Sequence, residues 1–186
     1  MPRRLGPVLV ALLGGLGCGV HAAVWVGGGP RGRLEVTLHY QGSPERGRFA
    51  RFHVRLVTRR GVPRALTVVV KTASFTLSSV TLDAAARGPM WFDAVRYPEA
   101  EYTARRFLMR ARGDLVTGVL RIKGVARPLD VLMSLRRTAR GALVLRGRTR
   151  VRRLRYRIGT GPWARTRLIG NRVGLAFRVP LVKAGA

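Results

Sequence analysis

Acid–base, metal or nucleophilic chemistry would have to be built here from very little. The 186-residue chain holds three histidines, eight carboxylates and one cysteine, Cys18. His39 and His53 sit in alternating strand-like runs, and no cluster of Cys or His at ligand spacing supplies partners for a zinc or haem site. The carboxylates Asp83, Asp93, Asp114 and Asp130 are scattered. Asp93, two residues after Trp91, has the setting of a general acid–base but fits a cap or turn better. No G-x-S-x-G, P-loop or Rossmann fingerprint occurs. What recurs instead is an aromatic or branched aliphatic residue beside an arginine. That pattern suits apolar binding and anion attraction, so the chain is read as a non-enzyme with no cofactor and no metal.

The charge balance is extreme, with 36 Lys+Arg against 8 Asp+Glu and a formal charge of +28. Only Lys71, Lys123 and Lys183 are lysines. Such a surface attracts phosphates, anionic headgroups or nucleic acid. The arginines are spread over nearly every strand rather than gathered on one element, which argues against a nucleic-acid reader.

The N-terminus reads as a secretory signal: Arg3 and Arg4, an apolar stretch from Leu5 to Val20, and a Val20-His21-Ala22 cleavage site with Ala23 as the alternative. A retained single-pass anchor is the rival reading, countered by the Gly27-Gly28-Gly29-Pro30 break. Gly15-Leu16-Gly17 before Cys18 does not fit lipoprotein acylation. The expected division is residues 1–22 as signal and 23–186 as one domain, placed in the periplasm. Removing 22 residues, two of them arginine, leaves 164 residues carrying +26 and no cysteine, so the core and strand ladders must hold the fold without a disulfide.

The elements that must position any site are short strands. Residues 27–32 read as a flexible lead-in. Leu34, Val36 and Leu38 then alternate with Glu35, Thr37 and His39. Phe52, Val54 and Leu56 alternate with Arg51, His53 and Arg55, and similar runs follow to Val179. Turn signals such as Gly61-Val62-Pro63 and Gly170-Asn171 separate them. About eight strands, each with one apolar face, predict an all-β antiparallel sandwich or barrel. Asp83 to Val95 is the one stretch that reads as a short helix or capping loop.

Several segments in order carry a further signal. Gly47-Arg48-Phe49 precedes Phe52. Trp91-Phe92-Asp93 leads to Tyr97-Pro98-Glu99-Ala100. Gly118-Val119-Leu120-Arg121-Ile122-Lys123-Gly124-Val125 runs to Pro128. Arg153 to Trp163 reads R-L-R-Y-R-I-G-T-G-P-W, and Ile169-Gly170-Asn171-Arg172-Val173 follows. Over roughly Gly47 to Leu181 this order resembles the YceI-like family of secreted bacterial lipid- or polyisoprenoid-binding proteins. The resemblance implies an extended eight-stranded antiparallel, lipocalin-like barrel with one short helix or capping loop. It departs at the first strand, where Trp25 is followed by glycines and the edge reads as frayed, and at Asn171, where an acidic residue is usual.

The resemblance also implies a function: a periplasmic carrier that holds an isoprenoid lipid, a polyprenyl phosphate or a quinone, in the barrel interior without catalysis. Its candidate ligand-binding residues are Phe52, Phe75, Leu120, Ile122, Tyr156 and Phe177 facing inward, with Trp91, Phe92, Tyr97 and Tyr102 at the pocket or its mouth. Arg105, Arg106 and Arg153 are candidates for an anionic head, and Trp163 for a loop anchor. Transient contact with an anionic membrane surface is expected, nucleic acid is not, and the protein is expected as a monomer or homodimer. The alternatives are a basic module for anionic surfaces or nucleic acid, and an accessory partner of a membrane cytochrome b-type redox system.

Overall fold

The computed structural model describes residues 22–77, 80–110, 113–139 and 141–185. Eleven strands and one α-helix follow one another: β1 Ala22–Gly28, β2 Arg33–Tyr40, β3 Ser43–Phe49, β4 Phe52–Arg59, β5 Val62–Lys71, β6 Phe75–Thr76, α1 Val80–Arg87, β7 Glu99–Leu108, β8 Asp114–Ile122, β9 Val125–Arg137, β10 Leu143–Arg152 and β11 Arg172–Lys183. The first six combine end to end into three long staves, β1 with β2, β3 with β4, and β5 with β6. Each stave is interrupted by a jog: residues 29–32, Ala50 and Arg51, and Thr72–Ser74. Together with β7 to β11 they make eight antiparallel staves in meander order.

The meander closes because β11 pairs with the first stave twice. Leu181 to Lys183 face Gly27 to Trp25 of β1, and Gly174 to Arg178 face Thr37 to Arg33 of β2. A closed barrel leaves no long strand edge unpaired, and it resolves the choice between sandwich and barrel. Alternation along each strand then does the sorting. On β4, Phe52, Val54, Leu56 and Thr58 are buried, while His53, Arg55 and Arg59 are exposed. The apolar faces of all eight staves meet on the axis and the arginines go to water.

Two sequence readings are corrected here. Residues 27–32 are not a flexible lead-in, nor is the first edge frayed. β1 runs through Gly28 with Trp25 buried, and pairs with both β4 and β11. Its apolar alternation is short and overlaps the signal-like run, which hid it. The helix lies at Val80–Arg87 rather than 83–95, and residues 88–98 form turns. Asp83 sits in its first turn and accepts from the Leu77 backbone N–H, the acidic N-terminal placement that a helix favours. The segment read as a signal lies outside the described residues up to His21. No helix among the described residues is long and apolar enough to cross a membrane.

Two of the glycines at inward positions each face an aromatic ring. A Cβ on Gly147 would lie 2.2 Å from Cζ of Phe177, and one on Gly118 would lie 2.7 Å from Cζ of Tyr102. The two rings thus lie against the barrel wall over neighbouring glycines, which keeps them out of the axis. Gly147→Ala should therefore drive the Phe177 ring inward and cost about 2 kcal/mol, or roughly 4–8 °C in Tm for a domain of this size. Thermal unfolding by circular dichroism measures it, and an unchanged Tm would refute the contact.

Candidate ligand tunnel

The faces of β2, β4, β5, β7 to β11 enclose two voids stacked along the axis. The lower one, of about 100 Å³, includes Phe52, Tyr102, Leu120 and Phe177 in its lining. The upper one, of about 110 Å³ and nearer α1, includes Phe75, Trp91, Phe92, Leu120, Ile122 and Tyr156. Leu34, Val70, Ala100, Leu120 and Leu175 line both, so the two voids adjoin along the axis as two chambers of a candidate tunnel. Each greatly exceeds the roughly 10–15 Å³ that one water needs, but a cavity without polar partners stays dry. The Tyr102 hydroxyl is no exception, since it donates to the carbonyls of Val116 (3.0 Å) and Leu129 (3.2 Å). Burial pushes its pKa well up, with the nearby Asp130 charge adding to the effect.

Nine of the ten residues expected from sequence line the tunnel. Tyr97 does not. Its ring covers Gly124 from outside the cavity, 3.2 Å from where a Cβ there would sit, with the Arg96 guanidinium 5.4 Å from its centroid. It follows the left-handed turn at Asp93 (φ 50°) and its carbonyl accepts from the Thr72 hydroxyl. Its place is in the frame around the tunnel, and Asp93 takes the turn role. The reading missed Leu34, Phe49, Val70, Ala100 and Leu175. Leu34 and Leu175 lie on inward faces that alternation marks, and Phe49 closes the Gly47-Arg48-Phe49 turn. Ala100 carries no signal, because a small inward residue is recognisable only once its neighbours are known.

The upper end is closed by a lid built from α1, residues 88–98 and residues 153–171. The backbone N–H groups of Gly159 and Thr160 both donate to the Met90 carbonyl, at 2.8 and 2.9 Å. Trp91 and Trp163 meet edge to face at 5.9 Å, so Trp163 does anchor its loop. The Lys123 ammonium donates to the carbonyls of Pro89 and Arg157. Burial lowers its pKa, with Asp93 opposing and Arg157 adding to the shift.

Arg153 is the lid's centre. It is 3% exposed, and all five of its N–H groups are engaged. Nε donates to Gly170, one terminal nitrogen to Ile158 and Gly159, and the other to Trp163 and Ile169, all backbone carbonyls at 2.7–3.1 Å. Its guanidinium also faces the Trp91 ring at 5.7 Å. Burial lowers its pKa. The expectation that Arg153 meets an anionic head is therefore corrected: it has no donor left to give. Arg105 and Arg106 are exposed on β7 and line neither chamber. The Trp91 indole N–H is the one buried side-chain polar atom among the described residues without a partner.

A closed eight-stave barrel around a dry two-chambered tunnel, capped by a helix and a loop knotted on an arginine, can now be set beside other proteins. Residues 32–181 match the model of the YceI-like domain. The chain belongs to the YceI-like family. No curated protein matches this YceI-like chain. Among solved structures it is similar to BcnA of Burkholderia cenocepacia, at 22% identity and a TM-score of 0.76 over 81% of this chain and 96% of that one. A polyisoprenoid binding domain from Saccharophagus degradans, implicated in plant cell wall breakdown, aligns at 14% identity and 0.69 over 86% and 98%. The Campylobacter jejuni YceI protein aligns at 18% and 0.61 over 75% and 85%. At these identities the likeness is one of fold.

Arg153→Met should leave five lid carbonyls without their donor. Unsatisfied buried groups and lost charge-assisted bonds make a loss of at least about 3 kcal/mol the expected result. Arg153→Lys should not rescue it, because an ammonium offers three donors without the planar fork. Urea unfolding of both variants measures this. A lysine variant as stable as the parent would show that the carbonyl knot does not hold the lid.

Proposed function

We propose that this YceI-like protein is a periplasmic binding and carrier protein for an isoprenoid lipid, a polyprenyl phosphate or a quinone, and that it performs no catalysis. The observation that carries the reading is the tunnel: two adjoining chambers walled almost wholly by aliphatic and aromatic side chains, with the Tyr102 and Thr149 hydroxyls already donating to backbone carbonyls of the wall. A prenyl tail is the complementary object, an unbranched-backbone hydrocarbon with methyl branches and no polar atoms to desolvate. Each five-carbon unit buried is worth on the order of 4 kcal/mol at ~0.8 kcal/mol per CH₂-sized group. A few units therefore exceed the cost of association. The Saccharophagus degradans neighbour is described as a polyisoprenoid binding domain, which agrees with the same class of cargo. Export is supported by the signal pattern of residues 1–22.

Native mass spectrometry of protein recovered from a bacterial periplasm tests this directly, since a co-purified or loadable prenyl lipid is expected. The junction gives a sharper test. Ala100 lies on the inner face of β7 where the chambers meet. Ala100→Phe should keep the fold while lowering affinity for a geranylgeranyl probe at least about tenfold, and a single-chamber geranyl probe should be affected less. Equal affinity of parent and variant for both probes would exclude the tunnel as the site.

Contact with an anionic membrane surface is supported by the outer wall of β10 and β11. Arg146, Arg148, Arg150 and Arg152 face outward on β10, Arg172 and Arg178 on β11, and neither strand contains an acid. In register, Arg33, Arg178 and Arg146 form one row across three strands, and Arg152 stands opposite Arg172. Like charges placed opposite one another destabilise a sheet, and an anionic partner relieves that repulsion; Glu35 on β2 and Asp130 on β9 are the acids flanking this wall. Binding to phosphatidylglycerol-containing vesicles should exceed binding to neutral ones and fade as the Debye length shrinks from ~10 Å at 0.1 M salt to ~3 Å at 1 M. Arg146→Glu with Arg178→Glu should weaken it. Sedimentation that ignores both salt and lipid charge would reject the contact.

A further inference from the structure

A carrier needs a way in, and both ends of this tunnel are shut. At the hairpin end the inward side chains of Leu56 and Leu181 are 0% exposed and that of Met133 is 1% exposed. Trp25 lies among them, its indole N–H donating to the Thr58 hydroxyl at 3.2 Å and the Arg137 guanidinium 5.6 Å from its ring. At the other end the Arg153 knot and the Trp91–Trp163 contact hold the lid down.

The side wall is different. Between the first and second staves the ladder stops at Glu35 opposite Arg48 and resumes only at Gly28 opposite His53. Across the gap the strands splay. Gly28 (φ +124°) and Gly29 (φ +55°) turn one stave aside, into the short 3₁₀ turn of Gly29–Arg31. The second and third staves jog at the same level but are stitched together there. Ala50 N–H donates to the Ser74 carbonyl, Arg51 N–H to the Ser74 hydroxyl, and Lys71 N–H to the Arg51 carbonyl. No such stitch is seen between the described residues of the first and second staves.

The unstitched gap holds a void of about 620 Å³ bounded by Gly29, Pro30, Gly32, Arg33 and Glu35 on one side and Arg48 and Ala50 on the other. Its inner limit is Leu34 and Phe49. Leu34 lines both chambers and Phe49 lines the upper one. Leu34 and Phe49 are thus the side chains that the gap and the tunnel share, and the Phe52 ring lies beside them against Gly32. Phe49 is itself one corner of an aromatic trio, 5.0 Å from Phe75 and 5.6 Å from Phe92, so its ring has apolar surfaces to slide against on either side.

We propose that this gap is a lateral portal: a single-tailed amphiphile passes its hydrocarbon end between Leu34 and Phe49 into the tunnel, while its polar end stays in the outer, hydrated half beside Arg33, Glu35 and Arg48. The proposal rests on the carrier reading and adds the route. The portal lies beside β2, whose Arg33 belongs to the basic row that continues onto β11 and β10, so a membrane bound to that wall is next to the opening.

The test is stopped-flow exchange of a dansyl-labelled farnesyl probe with the mature full-length protein. Ala50→Trp fills the portal from outside, at an exposed position that touches neither chamber. It should slow association and dissociation together by about tenfold while leaving the ratio of the two rates within about threefold. Phe49→Ala should speed both. Bulky controls near the two ends, Val62→Trp and Val95→Trp (97% exposed in the parent), should change neither. A probe that binds normally, with Ala50→Trp at parental rates or an end control slowed instead, overturns the portal and leaves the carrier reading standing. A parent protein that takes up no probe overturns both. Circular dichroism confirms that Ala50→Trp is folded, and if Phe49→Ala loses its fold the Ala50→Trp rates decide alone.

Discussion

Everything in this molecule depends on one strand edge being used twice. β11 hydrogen-bonds β1 with its last turn of sequence and β2 with its middle, and only that double pairing converts a meander into a closed wall. Closure fixes the interior. Eight staves give a barrel just wide enough to be filled by side chains or to keep room for one slender ligand. Which of these results depends on what each inward position carries. Here glycines at 118 and 147 let Tyr102 and Phe177 lie flat, Ala100 stays small at the waist, and the axis is left partly hollow.

Closure also separates two solvents. Because side chains alternate, one choice of register sends most apolar residues to the axis and nearly every arginine to water, with Val119, Leu132 and Val182 among the few apolar side chains left on the outer wall. A formal charge of +28 costs little in this arrangement, since the guanidinium groups lie outside a low-dielectric tube rather than across it. The exception is Arg153, which is drawn into the lid. It is retained there because five backbone carbonyls converge on it from the loop that joins β10 to β11. Those carbonyls would otherwise face a dry cavity with no donors, so the arginine satisfies the loop as much as the loop satisfies the arginine.

The same economy explains the wall's weak point. A jog in one stave must be matched in its neighbours or the ladder breaks. Ser74 matches the jog between the second and third staves with its backbone and its hydroxyl. Among the described residues no equivalent hydrogen bond matches the first to the second, and the glycines at 28 and 29 permit the splay. On the carrier proposal, a barrel with sealed ends has a use for such a gap, which would join the recognition of a tail to the route by which it arrives.

Alternation of apolar and arginine residues was enough to give an all-β antiparallel fold with one face of each strand dry, and the order of motifs from Gly47 to Leu181 was enough to give the family and its barrel. Phe52, Tyr102, Leu120, Ile122 and Phe177 were legible for the same reason, since period two assigns a face without knowing the partner strand, whereas Trp91, Phe92 and Tyr156 lie outside the strands and were marked only by the order of motifs. β1 was not legible, because its few apolar residues merge with the signal-like run before it, and neither was β3, whose Pro44, Glu45, Arg46 and Gly47 show no alternation. Tyr97 and Arg153 were misplaced because a sequence gives residue type but not the backbone carbonyls and glycines that a fold brings beside it. The chambers, the carbonyl knot and the gap between the first two staves belong to tertiary structure alone, since each is set by distances between segments far apart in the chain, and local patterning holds no information about those distances.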